Sequence, residues 1–132
     1  MRVKLKYLQE WTEQRRNNAR LYNELLKGIP VSPPFESPHV RAVYHLYVIR
    51  VADGKRDGLR NYLLQKGISC GVHYPVALPN LKAYAYLGHR PQDFPVASRY
   101  CDEILSLPMF PELSREQIEY VAHSIRSFFE TH

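Results

Sequence analysis

Apolar residues recur along the first 27 positions at spacings that fit one helical face. Leu5, Leu8, Trp11, Ala19, Tyr22 and Leu26 mark the stripe, and Arg15 interrupts it at the centre. This period predicts a single amphipathic helix over residues 1–27. Gly28 is the stop signal, and Pro30 reinforces it. The start is abnormal. No Ser, Thr, Asp or Asn stands ahead of the first helical residues as a cap, and the pattern is already running at Val3. That pattern reads as a helix cut out of something longer, or as a frayed natural terminus.

Residues 28–42 change character. Their four prolines forbid a helix and favour an extended connector. Val43 to Val51 is nearly continuous in apolar character and rich in β-branched and aromatic residues, which predicts a strand partly covered on both faces. Asp53-Gly54 ends it. Helical period returns over Arg56–Lys66 through Leu59, Tyr62 and Leu63, with Gly67 as its C-terminal cap. Ile68 to His73 predicts a second short strand. The strand–helix–strand order allows a β-α-β element without fixing its direction. Residues 76–92 read as loop with one helical turn near Leu81–Leu87. Asp93 can cap a helix carrying Val96, Ala97, Tyr100, Cys101 and Ile104. Leu105–Leu107 is a third short strand, ended by Pro108. Ser114 and Gln117 form a capping-box signature for a last helix that buries Ile118, Val121, Ala122, Ile125 and Phe128 or Phe129.

The expected fold class is therefore α+β. A small antiparallel or mixed sheet of about three strands is covered by helices, with a long helix at the N-terminus. A chain of 132 residues fits one domain and can bury a core without staples.

Charge adds one feature. The first 27 residues hold seven Lys and Arg against three Glu, a balance of +4 out of the chain's net +5. Such asymmetry can serve nucleic acid or membrane contact. No aromatic-basic interleaving of a nucleic-acid motif accompanies it. The reading is a solvated helix face, or a face that meets an acidic partner; neither nucleic acid nor membrane is expected as a partner. No apolar run has the length of a membrane span, and no signal-peptide h-region is present. Cys70 and Cys101 belong to no CxxC or metal-ligand spacing. A cytoplasmic protein with buried, reduced thiols is the expectation.

Candidate chemistry narrows quickly. Six histidines form no HxH, HExxH or Cys/His cluster, so no metal site is expected. Cys70 in a strand and Cys101 on a helix's apolar face read as packing residues rather than nucleophiles. Gly71 and Gly88 stand alone and make no phosphate loop. His73-Tyr74-Pro75 remains, at the end of a strand, where a rigid scaffold presents polar groups to a ligand. An imidazole and a phenol both donate hydrogen bonds and stack on a sugar or a planar cofactor. On residue types alone, the reading in which His73 satisfies a buried carbonyl while Tyr74 packs beside Pro75 is slightly favoured.

Four segments sharpen the choice: RVKLKYLQEW…RR…A..YNELL at 2–26, VYHLYVIRV at 43–51, RDGLRNYLLQKGISCGVHYP at 56–75 and DFPVASRYCDEILSLPMFPELSREQIEYV at 93–121. In this order they resemble the C-terminal small domain of the DegT/DnrJ/EryC1/StrS sugar aminotransferases, pyridoxal-phosphate (PLP) enzymes of transferase fold type I. The resemblance implies that residues 1–132 are that small domain, and that a large domain carrying the PLP lysine would precede it. None of Lys4, Lys6, Lys27, Lys55, Lys66 and Lys82 lies in a context like the family's S-x-H-x-x-K, and the acidic partner of the pyridine nitrogen has no counterpart. The segment is therefore expected to be inactive alone, with no catalytic, cofactor-binding or metal residue of its own.

For the parent enzyme, the resemblance implies ping-pong transfer of an amino group from glutamate to a nucleotide-linked keto-sugar, in a homodimer. His73 and Tyr74 match the family's HYP motif near the sugar nucleotide. That implies substrate binding by His73 and Tyr74, with Pro75 fixing the turn. His45 matches a recurring family position and reads as structural; Arg90 is a candidate for a phosphate contact. Two other readings stand beside this one. A PLP-dependent sugar dehydratase shares the scaffold and replaces the lysine, and a stand-alone binding or regulatory module would use the basic first helix.

Overall fold

The computed structural model describes residues 2–131. Its helices are α1 (Arg2–Leu5), α2 (Leu8–Leu25), α3 (Arg56–Gln65), α4 (Pro95–Glu103) and α5 (Arg115–Thr131). Its strands are β1 (Tyr47–Arg50) and β2 (Ile104–Leu107). Three 3-10 turns, at Leu78–Asn80, Lys82–Leu87 and Pro91–Asp93, fill the segment before α4.

The sheet is two-stranded and antiparallel, with Tyr47 opposite Leu107 and Ile49 opposite Leu105. Those four residues share one face, because side chains alternate along a strand. All four are buried, and they meet Ala19, Tyr22 and Leu26 of the first long helix and its C-cap, Leu59 and Leu63 of α3, and Ile118, Val121, Ala122, Ile125 and Phe128 of α5. Helices on one face of a small sheet are the expected α+β arrangement. The expected third strand is reduced to a single bridge. Gly71 pairs antiparallel with Ser106, and Ser32 pairs with Arg50 on the opposite edge. Two antiparallel pairings in succession make the 68–73 segment run parallel to β1, with β2 between them. The strand–helix–strand element thus has parallel outer arms separated by a late strand.

The N-terminal stripe is not one helix. It breaks at Lys6–Tyr7, between α1 and α2, and Tyr7 stacks on Trp11 with ring centroids 5.6 Å apart. Only the second half of the stripe is buried: Ala19, Tyr22 and Leu26 are covered, whereas Val3, Leu5, Tyr7 and Leu8 are exposed. Arg15, the interruption, donates from Nε to the carbonyl of Val43. The expected strand over 43–51 is shortened to β1, because Tyr44 takes a positive φ of 47° and turns the chain before Tyr47.

Helix ends follow their residue types. Gly67 has φ +75°, its N–H donates to the Leu64 carbonyl and the Ile68 N–H donates to Leu63, a Schellman closure that turns the chain back toward the sheet. Gly58, inside α3, leaves room for α5: a Cβ there would lie 3.3 Å from Cζ of Phe128. Ser114 and Gln117 cap α5 reciprocally at 2.9 and 3.3 Å. Asp93 does not cap α4. Its carboxylate accepts from the Arg90 N–H at 2.8 Å and closes the preceding 3-10 turn, and Phe94 begins α4 without a side-chain cap.

One polar knot ties the proline-rich connector to α2. Glu36 accepts from Arg16 at 2.6 Å, from the Ala42 N–H at 2.8 Å and from the Tyr44 hydroxyl at 3.0 Å. The Arg16 hydrogen bond, then that of Ala42, holds the Glu36 carboxyl down at about 2, against an ordinary 4.5. The folded state therefore binds this proton less readily than the unfolded chain. The stability it contributes is fully present above pH 4.5 and is lost as pH falls toward 2. Glu36→Gln is expected to flatten that part of the thermal-midpoint profile, read by circular dichroism. Parallel acid profiles for both proteins would show that Glu36 is not linked to folding.

Candidate functional site

The Schellman turn after α3 delivers residues 68–75 along the free edge of β2. Gly71 exchanges two backbone hydrogen bonds with Ser106, at 2.8 and 3.1 Å. Two residues later the His73 ring lies over Gly71, where a Cβ would begin 3.6 Å from the ring's Cε1. Nδ1 of His73 is 2.8 Å from Oγ of Ser106. The two sequence stretches that carry HYP and LSLP are thus joined by one backbone bridge and one side-chain hydrogen bond. His73 is exposed and partners a hydroxyl, so it is not spent on a buried carbonyl.

Tyr74 follows with φ +63° and is 78% exposed. Positive φ is uncommon for a bulky side chain and costs on the order of 1–2 kcal/mol. It also departs from the extended region that a following proline favours. The ring gains no burial in return. Tyr74 is therefore not packed beside Pro75; it projects into solvent.

Pro75 opens a shallow groove shared with Val76, Ala77, Asn80, Ser98 and Cys101. Asn80 Nδ2 donates to Ser98 Oγ at 3.1 Å, and Ser98 Oγ donates to the carbonyl of Pro91, so the 3-10 turns are pinned to α4. Oδ1 of Asn80 is buried without a protein partner. On the same face of the sheet as Ser106, Arg50 is held by Glu103 at 2.9 Å and lies 4.1 Å from the centre of the Tyr100 ring, which fixes α4 against β1.

The other candidates sit elsewhere. His45 is exposed just ahead of β1. Arg90 is exposed and engaged with Asp93. Cys70 and Cys101 are half-buried rather than fully buried, and both are free thiols. Burial pushes both thiols up, with Asp102 adding to the shift at Cys101, so neither is an activated nucleophile. Among the described residues no group of three or more His, Cys, Asp or Glu could hold a metal ion. Among the described residues no helix is long and apolar enough to cross a membrane.

Sequence reasoning passed over Ser106 and Asn80. Ser106 had a signal: it is the polar residue of Leu105-Ser106-Leu107, and it is buried like its neighbours. Asn80 had none, since asparagine in a turn needs no special explanation.

Pyridoxal phosphate needs a lysine inside a pocket with an acidic residue at its pyridine nitrogen. Lys4, Lys6, Lys27, Lys66 and Lys82 are exposed, and Lys55 lies over the ring of Phe129. The groove that Lys82 borders contains no carboxylate. These residues do not fit the cofactor.

Comparison with known proteins places this geometry. Residues 1–126 match the family model described as the DegT/DnrJ/EryC1/StrS aminotransferase family. The chain is 42% identical over 130 residues to a pleiotropic regulatory protein of Geobacillus stearothermophilus, covering 96% of this chain and 34% of that protein. It is 34% identical over 133 residues to the dTDP-3-amino-3,4,6-trideoxy-alpha-D-glucose transaminase of Streptomyces venezuelae, covering 98% and 34%. In structure it resembles S. venezuelae DesV solved with a ketimine intermediate, at a TM-score of 0.91 and 33% identity, over 98% of this chain and 34% of that one. The chain thus spans about a third of the length of the curated relatives it matches. With the motifs in order, the fold shared and the match running through residue 126, the chain belongs to the DegT/DnrJ/EryC1/StrS aminotransferase family.

Proposed function

We propose that these 132 residues form the substrate-facing small domain of a PLP-dependent aminotransferase that moves an amino group from glutamate to a nucleotide-linked keto-sugar. The PLP lysine and its acidic partner would lie in a large domain outside these residues. The exposed apolar side chains of Val3, Leu5, Tyr7 and Leu8 suit a helix that packs on such a domain. The complete enzyme would be a cytoplasmic homodimer. Sugar transaminases among the relatives support the substrate class.

The observation that carries the reading is local. Tyr74 is held exposed at positive φ, directly after a histidine whose ring the scaffold anchors. Strain kept without burial points to a ligand. His73 would donate a hydrogen bond to a sugar hydroxyl or to the diphosphate. The Tyr74 phenol would bond or stack on the sugar, and Pro75 would fix the turn that presents both. The role is binding and orientation; when bound, PLP supplies the amino-transfer chemistry.

Two measurements test the proposal. The complete enzyme should convert a nucleotide-linked keto-sugar to its amino-sugar with glutamate as donor; an enzyme that binds the sugar nucleotide without turning it over would favour the regulatory role suggested by the name of the Geobacillus relative. This chain alone, treated with PLP and borohydride, should show no adduct concentrated on one lysine. A stable adduct at a single lysine would contradict placing the cofactor site elsewhere.

A further inference from the structure

We infer that Ser106 is a positioning residue for substrate binding, and that its hydroxyl turns His73 so that Nε2 is the ring nitrogen offered to the nucleotide-sugar. The inference rests on the binding role proposed above for His73.

Ser106 occupies a position in β2 that needs no hydroxyl. Leu105 and Leu107 face the helices, while Ser106 lies opposite Val48 on the other side of the sheet. Ser106 is nevertheless only 4% exposed. A buried hydroxyl costs free energy unless it is hydrogen-bonded. Its partner is Nδ1 of His73, at 2.8 Å. The backbone of Ser106 is also engaged, through both hydrogen bonds to Gly71. One strand residue therefore fixes the main chain two positions before the histidine and the ring itself. The ring also packs over Gly71, where a Cβ would stand in ordinary contact with Cε1 at 3.6 Å.

A serine hydroxyl can donate to a bare Nδ1 and can accept from Nδ1–H. The contact thus holds the ring in either tautomer and in the protonated state. In each case Nδ1 is turned inward and occupied, and Nε2 is left for the ligand. The next residue in the chain is the exposed Tyr74. Outer-sphere hydrogen bonds that hold a binding imidazole are a recurrent device at functional sites.

The test uses steady-state kinetics of the complete enzyme with a nucleotide-linked keto-sugar. Ser106→Ala should raise the sugar KM roughly fivefold, the effect of one lost hydrogen bond, with kcat changed less. Ser106→Thr keeps the hydroxyl and should restore binding. If the alanine variant does not fold, Ser106→Cys, a weaker donor of similar size, should raise KM in the same direction. In a His73→Ala background, Ser106→Ala should add nothing further. The amide of glutamine reaches about as far as Nε2, and that of asparagine about as far as Nδ1. His73→Gln should therefore retain more binding than His73→Asn. An unchanged KM in Ser106→Ala, an equal rise in the His73→Ala background, or better binding by His73→Asn than by His73→Gln overturns the inference. If His73→Ala itself leaves KM unchanged, the binding role of His73 fails, and this inference falls with it.

Discussion

Tyr22→Ala is expected to lower the unfolding free energy by about 3–5 kcal/mol, the usual result of deleting a buried aromatic ring. Tyr22 is completely buried. Its ring stacks on Tyr47 of β1 with centroids 4.8 Å apart, and its hydroxyl donates to the carbonyl of Pro108 at 3.1 Å. One side chain therefore joins α2, β1 and the end of β2. Domains of this size are stable by only about 5–15 kcal/mol, so the loss removes a large share. Tyr22→Phe keeps the ring and loses only the hydrogen bond, at a cost of about 1 kcal/mol. Denaturant titrations of both variants separate the two contributions. A Tyr22→Ala protein as stable as the wild type would show that α2 does not pack on the sheet in this way.

Tyr74→Asn is expected to behave in the opposite sense. Asparagine tolerates positive φ better than tyrosine, and Tyr74 buries little surface. Stability should stay level or rise by up to about 1 kcal/mol. In the complete enzyme the same substitution should raise the KM for the nucleotide-sugar about tenfold, as expected when a hydrogen-bonding and stacking group is lost. Gain or neutrality in folding together with loss in binding is the signature of a residue strained for function. A less stable protein with unchanged KM would make Tyr74 a packing residue instead.

Both residues show where the sequence was readable. Tyr22 could be placed on the buried face of its helix, because apolar periodicity reports the side of a helix that meets the core. The same reasoning located α3, α5, the Gly67 turn and the Ser114–Gln117 cap, all set by local chemistry. It failed where distant structure overrides propensity. Leu5 and Leu8 share the stripe of Tyr22 but remain exposed, since no described residues cover them. Val43 to Leu46 has strand composition, yet the turn at Tyr44 removes it from the sheet. Ile68 to His73 alternates like a strand but pairs at one residue only, because the chain crosses the edge of β2 and leaves.

The site was legible in part for the same reason. His73-Tyr74-Pro75 stood out as polar chemistry at a strand end, and the family resemblance gave it a role. Ser106 carried a signal as the polar residue between two leucines, but its pairing with His73, 33 residues away, could not be read, because contact across β2 depends on the order of strands. The positive φ of Tyr74 was equally hidden, since tyrosine favours extended backbone.

The most direct measurement is the sugar kinetics of the complete enzyme carrying His73→Ala or Tyr74→Phe. Each variant should raise the nucleotide-sugar KM, or lower kcat/KM, by roughly five- to tenfold, while the KM for glutamate stays at the wild-type value. Natively folded variants with unchanged kinetics toward the sugar would contradict the assignment of this strand end as the wall that holds the substrate.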